Sequence, residues 1–372
     1  MKIVFLSNYY NHHQAPLCES LYARLGKDFC FIQTTEMGAG RKKMGWSIDS
    51  LPSFVRKSYE EPIQCNAIID EADAVIIGSA PNDLVQKRIQ SGKLIIRYTE
   101  RQLKKGLELW KYPYRYFKWH CQNPKRANVH VLCASAYASS DYALFGLFKG
   151  RCYKWGYFPA VKQYSHIDQL LKEKEPASIL WVARLIDWKH PELPILVAKR
   201  LKDENYTFQM RLIGIGSLED KIRNMIRQLQ LEDCVQLLGA MTPEQVREHM
   251  EASQIFLFTS DRNEGWGAVL NEAMNSGCGV IANESIGSVP YLIKNDENGL
   301  IYQDGNFNDL YRKVKQLLDD PSKATLLGQQ AYETMVSEWN AEIAAERLLN
   351  LINDLLEKQD SSRYQEGPCS KA

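Results

Sequence analysis

Two carboxylates, Glu264 and Glu272, are separated by seven residues across the turn Gly265-Trp266-Gly267. The turn leads into the helix-period run AVLNEAMNSG. Glycines just before a helix let backbone N–H groups approach an anion, and the helix dipole favours negative charge there. Glu272, more than a turn inside the run, is placed to reach a ribose diol. Glu264, at its mouth, is placed to meet a polar substrate. A diphosphate flanked by two hydroxyl-rich groups fits that set, which is the chemistry of a nucleotide sugar. By itself the spacing is weak, because two glutamates on a strand–turn–helix are often only solvated. The context is stronger: apolar runs at 255–258 and 279–282 flank the segment, and a Gly287-Ser288 turn follows.

Upstream, SILWVARLIDWKHPELPILVAKRL reads as a buried strand, then a loop bearing Arg184 and Lys189, then a helix. Two cations at the carboxyl end of a parallel strand sit where such sheets bind ligands. Arginine offers a planar fork for phosphate oxygens and lysine a point charge. Next, Gly214 and Gly216 end a strand before a helix, where a missing Cβ permits close approach of a nucleotide. The third glycine of a dinucleotide fingerprint is absent, since Glu219 stands there. The turn Leu238-Gly239-Ala240-Met241 closes the following strand.

From 179 to 302 these segments closely resemble the GT4-type glycosyltransferases of the GT-B fold, whose E-x7-E motif matches Glu264 and Glu272. The resemblance extends in layout over nearly the whole chain. It implies that Arg184 and Lys189 hold the donor diphosphate and stabilise the leaving group, although Ala183 replaces the usual glycine. It implies that the turn at Gly239 and Met241 holds the nucleobase through backbone atoms, with Gly214, Gly216, Gly265, Trp266 and Gly267 completing donor binding. It also implies a retaining transfer, with a UDP-sugar the favoured donor and a saccharide acceptor in the assembly of a surface polysaccharide such as a capsule. Without a DxD cluster, no metal is expected, and no cofactor beyond the nucleotide-sugar co-substrate.

The first half matches less well. Relatives carry a glycine-rich loop after the first strand; here the text is Ser7-Asn8-Tyr9-Tyr10-Asn11-His12-His13-Gln14. Asn11 and His13 are candidates for binding acceptor or donor sugar, and His13 is equally read as a cap or packing residue. Glu100 stands where many relatives have a histidine. Either it is a base toward the acceptor hydroxyl, or it pairs with Arg101.

Residues 97–126 carry nine Lys or Arg against two Glu, interleaved with seven aromatics. Lys104, Lys105, Trp110, Lys111, Lys118 and Trp119 suit an anionic membrane surface, with rings at headgroup level. This favours a lipid-linked acceptor. No nucleic-acid-binding motif accompanies the patch, and the alternative is a domain surface whose aromatics partly face the core.

These residues need elements to position them. Short apolar runs alternate with helix-period segments, which indicates parallel sheets covered by helices. The fold class is α/β: two Rossmann-like domains facing across a cleft, at 1–160 and 178–338, joined by a polar linker at 161–177. Strands are expected at 3–6, 29–33, 74–77, 94–97, 129–132 and near 153. The second half restarts at 179–183, then 209–213, 235–238, 255–258, 280–282 and 300–302. Helices are expected at 14–25, 81–91, 101–111 and 136–145, with Pro113 breaking the basic stretch in two. A C-terminal helix at 339–358 crosses back to the first domain, and 359–372 form a disordered polar tail.

Length, 372 residues, agrees with two domains. A hydrophobic fraction of 45% and a net charge of +1 describe an ordinary globular chain with no overall attraction to nucleic acid. Nine cysteines with no CxxC pair read as reduced core thiols of a cytoplasmic protein. MKIVFLSNYY reads as a first strand, not a signal peptide. Any membrane contact would therefore be peripheral, on the inner face. Two rival classes remain: a Rossmann-type oxidoreductase, disfavoured by the incomplete GxGxxG, and a non-catalytic GT-B subunit of a complex, disfavoured by the retained cations and glutamates.

Overall fold

In the computed structural model, residues 1–38, 50–359 and 361–372 are described. The chain divides into two compact units, 1–160 with 338–372, and 161–337.

In the first unit, seven parallel strands form one sheet: β1 (Ile3–Ser7), β2 (Phe29–Gln33), β3 (Val55–Lys57), β4 (Ala74–Ile77), β5 (Leu94–Thr99), β6 (Val129–Cys133) and β7 (Cys152–Lys154). Their order is β3-β2-β1-β4-β5-β6-β7. The apolar runs IVFLS and AVII are buried along their whole length, as strands covered by helices on both faces must be. β3 carries the polar text VRK at the sheet edge and has no apolar alternation to betray it.

The second unit holds β8 (Glu175–Val182), β9 (Gln209–Ile213), β10 (Val235–Gly239), β11 (Ser253–Phe258), β12 (Gly279–Asn283) and β13 (Leu300–Tyr302), in the order β10-β9-β8-β11-β12-β13. The direction of strand addition reverses between β8 and β11. Such a reversal leaves a crevice at the carboxyl ends of the two strands. The first sheet reverses in the same way between β1 and β4.

Three expectations need correction. The segment 161–177 is no linker but part of the second unit. It forms the helix Ile167–Glu173, and the half-buried Lys174 donates through Nζ to the carbonyls of Met250, Glu251 and Ser253. No helix spans 101–111. There the Asp141 carboxylate takes the N–H groups of Gln102 and Leu103 at 2.8 and 2.9 Å, and Gly106 and Glu108 adopt positive φ. The helix begins later, at Tyr112–Gln122, and Pro113 lies in its first turn, where its missing N–H costs nothing.

The tail is not disordered over 361–372. Backbone bonds join Lys154 N to Ser370 O at 2.7 Å, Cys369 N to Lys154 O at 2.8 Å and Ala372 N to Cys152 O at 3.1 Å. An antiparallel bridge pairs Tyr153 with Lys371, and Cys369 is buried. A polar composition did not prevent order because an open strand edge supplied the backbone partners. The preceding helix, Ala341–Leu356, capped by Asn340, packs on Ala15–Leu25, with Arg24 bonded to Glu342 at 2.9 Å.

Candidate functional site

β8 and β11 are hydrogen-bonded neighbours, with Leu180 opposite Phe256 and Trp181 opposite Leu257. The loops that follow them therefore start side by side. Thr259 ties the two together: its Oγ1 donates to the Lys189 carbonyl at 2.8 Å and accepts from the Trp181 indole N–H at 2.8 Å. Asp261 N–H donates to the Trp188 carbonyl at 3.0 Å. His190, at φ 51°, meets Glu192 at 2.8 Å and Asp261 at 3.4 Å. The hydrogen bond to Glu192 leads the causes that raise its imidazole pKa above the ordinary value.

The two loops bring the predicted cation and carboxylate into direct contact. Lys189 forms an ion pair with Glu264, both side chains nearly buried, and Ser260 Oγ donates to the same carboxylate oxygen at 3.1 Å. The ammonium also lies 4.3 Å from the centre of the Trp188 ring. Arg184 faces the same ring at 5.7 Å, is exposed, and makes no ion pair among the described residues. One cation is thus engaged, and the other is open to an incoming anion.

Gly267 has φ 79°, and a Cβ there would stand 2.3 Å from the Phe258 ring and 3.1 Å from Glu264 Cγ. Only glycine permits this turn. The N–H groups of Gly265 and Gly267 donate to no acceptor among the described residues. The following helix, Val269–Asn275, is only two turns long, so the free N–H groups matter more than its dipole. The Gly287-Ser288 turn supports the arrangement: Ser288 Oγ donates to the Trp266 carbonyl at 2.6 Å and Gly287 N–H to the Glu264 carbonyl at 3.3 Å. Trp266 itself is corrected. Its ring is fully buried, with the indole N–H on Asn271 at 2.9 Å, so it anchors the turn and offers a ligand only backbone.

Glu272 lies in that helix, half-buried, and its carboxylate accepts no hydrogen bond among the described residues. Burial pushes its pKa up, while the Arg247 guanidinium pulls it back. An underused, partly desolvated acceptor of this kind suits a diol.

Gly214 and Gly216 serve a different need from the expected one. A Cβ on Gly214 would fall 1.9 Å from the Ala183 carbonyl oxygen, and one on Gly216 2.3 Å from that of Leu185. The close approach is between the β9 and β8 loops, chain against chain. Gly239, at φ 75°, accepts from Gly214 N–H at 2.7 Å, and Met241 is half-buried beyond it.

In the first unit, Glu100 does not pair with Arg101. Its carboxylate accepts from Tyr157 OH at 2.7 Å and from Lys104 at 2.5 Å. Arg101 instead faces Asp141 at 3.6 Å and lies over the Tyr137 ring. Asn11 is buried, and its side chain accepts from His13 N–H at 3.0 Å, a turn closing onto the next helix. The His13 ring stands 6.4 Å from that of Tyr157, in rough parallel. Sequence reading missed Thr259, Ser260 and Tyr157. Ser260, one turn before Glu264, carried a readable signal; Tyr157, far from Glu100 in the chain, carried none.

The basic aromatic patch divides. Leu109, Trp110, Tyr114 and Phe117 are exposed, as are Lys105 and Lys118. Lys104 is held by Glu100, and Lys111 and Arg115 by Glu108 at 2.6 Å each. Trp119 turns inward onto Phe145, 4.5 Å between ring centres. No described helix is long and apolar enough to cross a membrane, and no group of three or more His, Cys, Asp or Glu among the described residues is placed to hold a metal ion. The nine cysteines are free thiols, and Cys121 is exposed rather than in the core.

Residues 163–334, nearly the whole of the second unit, match the family model described as glycosyl transferases group 1. Among curated proteins, the chain is 30% identical over 172 residues to a poly(ribitol-phosphate) alpha-N-acetylglucosaminyltransferase of Staphylococcus aureus. That match covers 46% of this chain and 34% of the relative. It is 28% identical over 187 residues to the putative colanic acid biosynthesis glycosyltransferase WcaL of Escherichia coli, covering 48% and 46%. The match thus spans less than half the length of these relatives. Among solved structures, Anabaena Alr3699/HepE in complex with UDP superposes with a TM-score of 0.69 at 15% identity, covering 95% of this chain and 100% of that one. The fold is GT-B.

Proposed function

We propose that this chain transfers a sugar from a nucleoside-diphosphate sugar to a saccharide acceptor in polysaccharide biosynthesis, with retention of configuration and UDP as the favoured nucleotide. The observation that carries the reading is the convergence of Arg184, Lys189, Glu264 and the free N–H groups of Gly265 and Gly267 at the switch point between β8 and β11. The relatives' names supply polysaccharide and glycosyl transfer, and the bound UDP of the structural neighbour supports the nucleotide.

In this mechanism the departing diphosphate is met by the Arg184 fork and the glycine-turn N–H groups, with Lys189 turning from Glu264 toward phosphate. Positive groups aimed at developing charge in a poorly solvated site stabilise the transition state. Releasing Lys189 frees the Glu264 carboxylate to accept from sugar hydroxyls. Glu272 takes the ribose diol. Cationic side chains already supply the positive charge, so transfer proceeds without a metal. A dinucleotide oxidoreductase is disfavoured because Gly214 and Gly216 are filled by neighbouring chain. The exposed aromatics and lysines of 105–118 favour a lipid-linked acceptor and a peripheral position on the inner face of the membrane.

The test is a panel of UDP-, GDP- and ADP-sugars with purified protein, following nucleotide release and binding by calorimetry, with and without EDTA. A UDP-sugar should bind and turn over equally in both conditions. Absence of binding by every nucleotide sugar, or tight binding of NAD instead, would overturn the assignment; loss of turnover on chelation would overturn metal independence.

A further inference from the structure

We propose that the amino-terminal edge of the first sheet carries a second anion site, built to take a phosphate group. It is independent of the loops after β8 and β11. A cavity of about 380 Å³ opens there, lined by Arg126, Asn128, His130, Arg151, Lys358 and Ser361 among others. Arg126 and Asn128 lie just before β6, Arg151 just before β7, and Lys358 and Ser361 beyond the helix Ala341–Leu356. The tail adds Lys371, whose Nζ is 3.0 Å from Ser361 Oγ and 3.2 Å from Tyr153 OH. Ligands of parallel sheets ordinarily collect at the carboxyl edge, so this recess serves something other than the transfer reaction.

Its charge is one-sided. Three cations, Arg126, Arg151 and Lys358, line the cavity, and Lys371 stands behind Ser361, also donating to the Gly150 carbonyl at 3.1 Å; none of the four forms an ion pair, and no carboxylate lines the cavity, among the described residues. Arg151 is fixed in place by the carbonyls of Ala127 at 2.8 Å and Lys125 at 3.3 Å. Neutral groups complete the wall: His130 Nε2 lies 3.2 Å from Asn128 Oδ1, its Nδ1 3.5 Å from Tyr153 OH, and Tyr153 OH 2.7 Å from Ser361 Oγ. Burial first, then Arg151 and Lys371, push the His130 imidazole down to about 4, which agrees with an uncompensated positive potential. Four like charges around one recess repel each other until an anion joins them. Two guanidinium forks and one ammonium group on the wall, with a second ammonium behind Ser361, match a tetrahedral phosphate better than a planar carboxylate. The volume lies within the range of small-molecule sites, so the phosphate can be free, on a sugar, or on a lipid headgroup. Because Ser361 and Lys371 belong to the tail, an occupant would fasten the tail to β7.

The experiment is an imidazole NMR titration of the full chain at constant ionic strength, following His130. One arm adds inorganic phosphate in place of chloride; the other adds a water-soluble short-chain phosphatidic acid below its micelle concentration. In at least one arm the His130 pKa should rise well above 4, and the arm that acts names the source. Arg126→Ala with Lys358→Ala, both exposed and unpaired, should weaken the response at least about tenfold, as expected for losing two charge-assisted contacts. Ser361→Asp, which places a carboxylate in the cavity, should raise the His130 pKa without ligand and block the response. No response in either arm overturns the site. So does a response that survives the double variant, or one abolished by Arg184→Ala, which would put the phosphate in the other unit.

Discussion

Lys189 and Arg184 look alike in sequence, yet their surroundings separate them. Arg184 is exposed and makes no ion pair among the described residues, so in the proposed mechanism its charge is available to the ligand alone. Arg184→Ala should lower turnover on the order of 100-fold, the scale of losing one transition-state charge stabiliser, with the melting temperature nearly unchanged. Lys189→Ala should lose turnover too, and it should also cost roughly 3 kcal/mol of stability, because a nearly buried Glu264 is left charged with only the Ser260 hydroxyl as partner. Adding Glu264→Gln to Lys189→Ala should restore most of that stability and none of the activity. Thermal melts and initial rates on the three proteins check this. Equal melting temperatures for Lys189→Ala and the double variant would show that the ion pair is not a buried, coupled unit.

Among the elements, the helix Tyr112–Gln122 buries none of its residues and carries the bulk of the exposed aromatic surface. The cations of this helix and of the loop before it differ in availability. Lys105 and Lys118 are exposed, whereas Lys104, Lys111 and Arg115 are held by Glu100 and Glu108. Each basic residue near an anionic surface contributes about 1 kcal/mol, and interfacial rings add apolar burial. Lys105→Glu with Lys118→Glu, or Trp110→Ala with Phe117→Ala, should therefore abolish co-sedimentation with phosphatidylglycerol vesicles at low salt. Lys104→Gln with Lys111→Gln should change it little. If wild-type protein ignores such vesicles, or if the held lysines matter as much as the open ones, the patch at 104–118 is not a membrane surface.

For the whole molecule, the segment after the C-terminal helix completes the first unit. It covers the β7 edge, buries Cys369 and Ser370, and bonds through Arg347 to the Glu366 carbonyl at 2.6 Å. Removing residues 361–372 should lower the melting temperature by about 5 °C or more and promote association through the uncovered strand. Calorimetry and light scattering read both effects; a monomeric protein with an unshifted melt would show the tail to be dispensable. The two sheets were legible in the chain because strands buried on both faces must be apolar runs: twelve expected segments fall on twelve of the strands, and only the polar edge strand β3 escaped. Of the candidate site, the meeting of the cation loop with the glycine turn was legible in outline, because neighbouring parallel strands start the loops at their carboxyl ends side by side. Side-chain partners were not legible. Asp141 prevents a helix at 101–108 from 33 residues beyond Glu108, counted along the chain, Tyr157 reaches Glu100, and an open edge orders a polar tail. Those outcomes depend on which groups meet after folding, and local propensity carries no record of a partner distant in the chain.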